Sequence, residues 1–170
     1  MRRDKLLGHR ILSELMKNSK NSDRQIAKKL GVSQPTVTRR RAKLEKELSL
    51  LYTTIPNWEK LGFRIMAFTL AKWKHRAFPK DRMADAKAFI SKNPSVIFAS
   101  CGQGLNSDRI CISFHGSYRE YQRFKQEIRQ HWSEYVDSLD SFIVGFGADE
   151  ILKQLSFSHL AEKLEEIIKD

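Results

Sequence analysis

Ser22–Glu47 reads SDRQIAKKLGVSQPTVTRRRAKLEKE, which spells two short helices about a tight turn. Ser22 is placed to cap the first helix. Gln25, three residues on, can complete a capping box by reaching back to the Ser22 amide. Ile26, Ala27 and Leu30 then share one face. Gly31 follows where a left-handed residue ends a helix, and Val32 plugs the angle between the helices. Ser33 is expected to cap the second helix, with Pro35 in its first turn, where a missing amide hydrogen costs nothing.

The composition of the second helix suits DNA. At about 100° per residue, Val37, Leu44 and Leu48 form one narrow stripe. Arg39, Ala42, Lys43 and Lys46 gather roughly opposite, with Thr36 and Arg40 on the flank. The apolar stripe is expected to hold the helix down and leave the basic face free. In a helix-turn-helix unit the N-terminal half of the second helix enters the major groove. Gln34, Thr36, Thr38 and Arg39 are therefore the candidates for reading base edges, and Ser33, Arg40, Arg41 and Lys43 for holding phosphates. A run such as Arg39–Arg41 is by itself most often a solvated helix face. The joint presence of two caps, a glycine turn and opposed apolar and basic stripes is what favours DNA.

Charge supports this. The formal net charge is +11 over 170 residues. Residues 1–62 hold 15 Lys+Arg against 6 Asp+Glu, residues 63–146 hold 13 against 8, and the tail 147–170 holds 3 against 6. A positive field concentrated on the helix-turn-helix half suits a polyanion, since each neutralised phosphate releases counterions. The chain has no signal-like apolar run near its start and no apolar stretch long enough to span a membrane, so a soluble, cytoplasmic protein without membrane partners is expected. Two cysteines with no CxxC and no clustered histidines predict no metal site and no cofactor.

Upstream, Arg3–Met16 reads as a helix with Leu7, Ile11 and Leu15 four apart. Downstream, LSLLYTTIP (48–56) reads as either a wing or a linker strand, and Asn57–Leu61 as a helical turn stopped by Gly62, where a domain boundary is expected. The rhythm then changes. Arg64–Lys74, Val96–Gly102, Arg109–Phe114 and Asp140–Phe146 read as strands, Lys80–Lys92 and Tyr118–Tyr135 as helices, and Gln103–Asp108 as a hairpin turn. The order β-α-β-β-α-β predicts a four-stranded antiparallel sheet with two helices on one face. The expected domains are 1–62 (helix-turn-helix with linker), 63–146 (ferredoxin-like) and 147–170 (a helical tail capped at Ser158, with Leu160, Leu164, Ile167 and Ile168). The fold class is thus α+β, a (winged) helix-turn-helix domain followed by a ferredoxin-like domain and a C-terminal helix.

With the hairpin centred on Asn106, Cys101 opposes Cys111 and Ala99 opposes Ser113 on one face, while Phe98, Ile112 and Phe114 face the helices. The first face is small and mildly polar, suited to another sheet, so a homodimer through the sheets is expected. Adjacent strands also raise the prospect of Cys101 and Cys111 oxidising together, against the commoner outcome of two reduced thiols. Trp73, Trp132 and Tyr135 read as core. Trp58 has no evident place.

The whole order resembles the Lrp/AsnC family of feast-or-famine transcription regulators. The resemblance is carried by Leu30-Gly31-Val32-Ser33, Val37, Arg39-Arg40, Leu44-Glu45, Ile55-Pro56 and Leu61-Gly62 leading into the Phe68 strand, and it covers residues 3–146. It implies a DNA-binding head joined to an assembly or ligand-sensing domain, working as dimers up to octamers on double-stranded DNA. Family members often bind amino acids between sheet domains, near the turn after the second strand; Gly102 matches the usual glycine, and Gly104 and Asp108 complete a candidate effector turn. Three departures stand out: Arg41 at a usually apolar position, Leu48 for a helix-ending glycine, and a longer turn at Gln103–Asp108. A regulator choosing its sites is the leading reading, and a protein coating DNA without choosing sites the alternative. Some proteins of this layout are haem-precursor decarboxylases, but His75, His115 and His131 have no Asp or Cys nearby in sequence, and no catalytic residue is expected.

Overall fold

The computed structural model describes residues 2–74, 80–147 and 151–167. Two compact units emerge, one of residues 1–55 together with 154–170, the other of 56–153. The division falls between Ile55 and Pro56, and of the expected tail 147–170, residues 154–170 group with the first unit and 147–153 with the second.

The first unit is four helices: α1 (Arg2–Lys17), α2 (Asp23–Leu30), α3 (Gln34–Glu47) and the last, α6 (His159–Ile167). The capping box forms: the Ser22 hydroxyl accepts from the Gln25 amide, and the Gln25 side chain accepts from the Ser22 amide. Gly31 ends α2 at φ +68°, a conformation that disfavours any Cβ. Ile11, Leu15, Ile26, Ala27, Val37 and Leu44 make the core, with Leu7, Leu30, Val32 and Leu50 at its margin. Each fully buried aliphatic contributes about 1.5–3 kcal/mol. That clamp matters because Thr36-Val37-Thr38 is a β-branched run with poor helix propensity.

Leu48 departs from the expected stripe. It caps α3 and is half-exposed, while Ser49 turns left-handed at φ +48° and brings Leu50 back, its amide bonding the Glu45 carbonyl at 3.2 Å. Helix α3 therefore stops without its glycine. Residues 48–56, expected as a wing or linker strand, pair in no ladder among the described residues. Helix α6 lies on α1: the fully buried Ser13 hydroxyl is shared between the Glu165 carboxylate and the Ala161 carbonyl, and Lys17 Nζ meets Glu165 at 2.6 Å. Ile168, expected in this helix, lies outside the described residues.

The second unit holds strands β1 (Ile65–Trp73), β2 (Val96–Gly104), β3 (Ser107–His115) and β4 (Val136–Gly145), with helices α4 (Lys80–Ser91) and α5 (Tyr118–His131). Sheet order is β2-β3-β1-β4, all neighbours antiparallel, as the split β-α-β-β-α-β pattern requires. Ser117 caps α5 by accepting from the Glu120 amide. The helix ends at His131, earlier than Tyr135, and β4 starts correspondingly early so as to pair along all of β1.

The faces of the sheet are the reverse of those expected. Helix α5 brings Tyr121, Phe124 and Ile128 onto the sheet, with Trp132 at its C-terminal cap, all at most 8% exposed, and such bulk needs small residues beneath it. Ala67, Thr69, Cys111 and Ser113 supply that floor. Phe98, Ile112, Phe68 and Phe142 therefore stand in one row across the opposite face, with Phe98 51% and Phe142 67% exposed. Phe114 shares that face but is covered at one corner by Trp58, 4.9 Å between ring centroids, and by Phe146 at 4.9 Å. This gives Trp58 its place: an aromatic plug beside the Glu59–Leu61 turn.

Candidate nucleic-acid interface

Helix α3 is fixed from below. Val37 at 0% and Leu44 at 8% exposure are sunk into the head core, so the surface opposite them is open by geometry. Gln34, Thr38, Arg39 and Lys43 are exposed, and Thr36, Arg40 and Arg41 are half-buried. Among the described residues, neither Gln34 nor Arg39 spends its side chain on an intramolecular hydrogen bond. The threonines do. Thr38 Oγ1 donates to Asp23 at 2.7 Å, and Thr36 Oγ1 pairs with the Ser33 hydroxyl at 2.8 Å. Ser33 thus sits at the cap position of α3, but its hydroxyl makes no capping bond. The first amides of α3 and its helix dipole still present positive potential at that end.

The cations divide. Lys43 reaches Glu47 loosely, at 3.5 Å, with both more than half exposed, which leaves it available to a phosphate. Arg40 lays its stem near Gly8 of α1, its Cδ 3.7 Å from where a Cβ on Gly8 would stand.

Arg41, expected on a phosphate, instead has its guanidinium engaged within the head. Its guanidinium bonds Asp23 at 3.2 Å, Glu45 at 3.0 Å, the Tyr52 hydroxyl at 3.1 Å and the Asn21 carbonyl at 3.4 Å. Burial works against the charge, but the bonds to Glu45, Tyr52 and Asp23 outweigh it and hold the guanidinium more basic than usual. The Tyr52 hydroxyl and Arg41 together hold the Glu45 carboxyl below its ordinary range. Arg41 is therefore the knot joining α2, α3 and the segment after Ser49. An arginine tolerates this usually apolar position because its partners are all polar groups of the same unit. Asp23 and Tyr52, which build the knot with it, lie 18 and 11 residues away. No local sequence signal links them.

In the second unit the expected turn is smaller than its sequence suggested. Leu105 and Asn106 take φ +49° and +55°, a two-residue turn between paired Gly104 and Ser107. Gly102, Gly104 and Asp108 are consequently strand residues rather than members of a six-residue turn at Gln103–Asp108. The tighter turn also moves the register: Cys101 opposes Arg109 and Ala99 opposes Cys111, so the cysteines are diagonal neighbours rather than partners. Both are free thiols. Burial pushes Cys111 up to about 12, which keeps it un-ionised.

The histidines do not assemble. His115 is buried, its Nε2 2.8 Å from the Ser113 hydroxyl and its Nδ1 3.6 Å from Glu120, and burial holds its pKa below the ordinary value despite Glu120. His131 stacks on Phe89 at 4.5 Å, and His75 lies outside the described residues. Among the described residues no group of His, Cys, Asp and Glu could hold a metal ion, and no helix is long and apolar enough to cross a membrane.

Residues 7–47, which span most of α1 and all of α2 and α3, match the family of winged helix-turn-helix DNA-binding domains. Solved structures match nearly the whole chain. An AsnC family transcriptional regulator from Agrobacterium tumefaciens has TM-score 0.74 at 18% identity, covering 91% of this chain and 97% of that one. The fold is that of the Lrp/AsnC regulators. Two further solved structures match similarly. The transcriptional regulator NMB0573 of Neisseria meningitidis, solved as a complex with L-Met, gives 0.72 at 20% identity, covering 91% and 97%. AsnC of E. coli gives 0.68 at 20%, covering 88% and 95%. No curated protein matches the chain in sequence.

Proposed function

We propose that this protein is a transcription regulator that reads DNA through α3, with Gln34 and Arg39 at base edges and Arg40, Lys43 and the Ser33 end of the helix on phosphates. One observation carries the reading: Val37 and Leu44 are sunk into the head core while Gln34, Arg39 and Lys43 on the same helix stay exposed. Thr36 and Thr38 are secondary in this proposal, because their hydroxyls already have partners within the head.

The proposal includes a homodimer. The open sheet face carries Phe68, Phe98, Ile112 and Phe142 in one row, an apolar surface of the kind that a second copy of the same sheet covers. Two heads in a dimer would read half-sites about 34 Å apart, or a multiple of that, and so a pseudo-palindromic operator. Control by a small effector, as the L-Met complex of the Neisseria relative suggests, belongs to the same reading.

Selection of binding sites from random DNA tests it. Enrichment of a two-fold symmetric sequence, competed poorly by random DNA, is expected. Equal competition by random DNA would instead favour a protein that coats DNA, which the surplus of 15 Lys+Arg against 6 Asp+Glu in residues 1–62 also fits.

A further inference from the structure

Between α4, α5 and the helix-facing side of the sheet lies a cavity of about 640 Å³ that no part of the DNA reading uses. Its size falls within the range of small-molecule sites, roughly 300–1,000 Å³. It exists because α4 stands off from β2. Met83, Ala86, Phe89 and Ile90 of α4 turn inward yet remain only half-buried, and Ala99 and Cys101 of β2, which face the same way, are exposed. A tight fit of α4 on the edge strand would have closed all six.

The lining is mainly aromatic and aliphatic, with Trp73, Phe89, Trp132 and Leu139 prominent and Thr69, Asn93 and Ser100 among its uncharged polar members. Its charged members are Lys87 on α4 and Arg109 on β3, both cations; no carboxylate lines it among the described residues. Arg109 is held in place. Its guanidinium lies over the Trp73 ring at 5.7 Å, its Nη1 donates to the Asp108 carbonyl at 2.7 Å, and its backbone sits opposite Cys101. Asp108, 3.4 Å from the guanidinium, does not line the cavity. A guanidinium positioned by an aromatic face and a strand pair is a preorganised carboxylate receptor.

From this apolar chamber with cations alone among its charged groups we infer a binding site for a small hydrophobic carboxylate, an aryl- or alkyl-substituted acid whose apolar body enters between α4 and α5 while its carboxylate meets Arg109 and Lys87. All the residues lining the site belong to the sheet unit, and the inference stands whether or not the DNA reading does.

Three ligands of one shape and different heads decide it: 4-phenylbutanoate, 4-phenylbutanol and 4-phenylbutylamine, titrated into the full-length protein by calorimetry with tryptophan fluorescence as the second signal, since Trp73 and Trp132 line the cavity and Trp58 does not. The carboxylate is expected to bind about tenfold tighter than the alcohol, the worth of one charge-assisted hydrogen bond, and the amine weakest. Arg109→Gln should erase the preference for carboxylate while leaving alcohol binding unchanged. Ala86→Trp, which fills the chamber, should abolish binding of all three; if circular dichroism shows that variant unfolded, Arg109→Gln decides alone. Equal binding of the three ligands, no binding of any, or a carboxylate preference that survives Arg109→Gln overturns the inference.

Discussion

Replacing Arg41 by Ala separates a structural arginine from a DNA-binding one. Asp23 and Arg41 are each 21% exposed at the side chain, so their bridge is partly shielded from water. A pair so placed is worth about 1–2 kcal/mol, above the 0–1 of an open surface pair. The Glu45 partner, four residues along α3 and 38% exposed, adds about 0.3–0.5 kcal/mol. The loss should total about 2 kcal/mol. For a unit of this size each kcal/mol moves Tm by roughly 4–8 °C, so the head transition should fall by about 10 °C in calorimetry. Below that transition, the variant's dependence of DNA affinity on salt should match the parent's, because no phosphate contact is lost. A Tm within about 2 °C of the parent, combined with a shallower salt slope, would show that Arg41 leaves its knot for the phosphate backbone and would refute the reasoning.

Arg39→Ala should relax base preference at one operator position, while Lys43→Ala should weaken all sequences alike and reduce the log-log salt slope by about 0.9; footprinting and filter binding at several salt concentrations distinguish the two. On the open sheet face, Phe142→Asp should shift the protein from dimer to monomer in sedimentation without lowering the helical signal. For His115, the sign follows from its lowered pKa: the unfolded chain takes up the proton near the ordinary value of about 6.5, the folded chain only at lower pH. Its contribution is therefore complete above about pH 6.5 and lost as pH falls through the folded value. A His115→Gln variant should show a smaller fall in Tm between pH 8 and pH 5.5 than the parent.

What was legible in the sequence follows from how local the governing interactions are. The two capped helices could be read because Ser22 with Gln25 and Gly31 act within a few residues. The strand order could be read because period-2 runs alternate with helical ones. The faces of the sheet were not legible, because both are apolar: Phe98, Ile112 and Phe68 mark one side and Ala67, Cys111 and Ala71 the other, and only the bulk arriving on α5 decides which side the helices cover. The hairpin is tighter than its sequence suggests because Leu105 is not a residue expected to turn left-handed. The Arg41 knot is invisible in the sequence because its partners are far along the chain, and the end of α3 is invisible because a serine performs the reversal that a glycine usually performs.

The buried Ser13, closed over by Glu165 and Ala161, bears on how the molecule is made. Its lid is translated only after the entire sheet unit, so the three N-terminal helices emerge first yet stay unfinished while Pro56–Lys153, an uninterrupted stretch, can complete itself. A nascent chain halted before His159 should thus carry a folded sheet and an unsealed head, and excision of residues 1–55 as a stand-alone DNA-binding fragment should yield a weaker fold than grafting α6 back onto it.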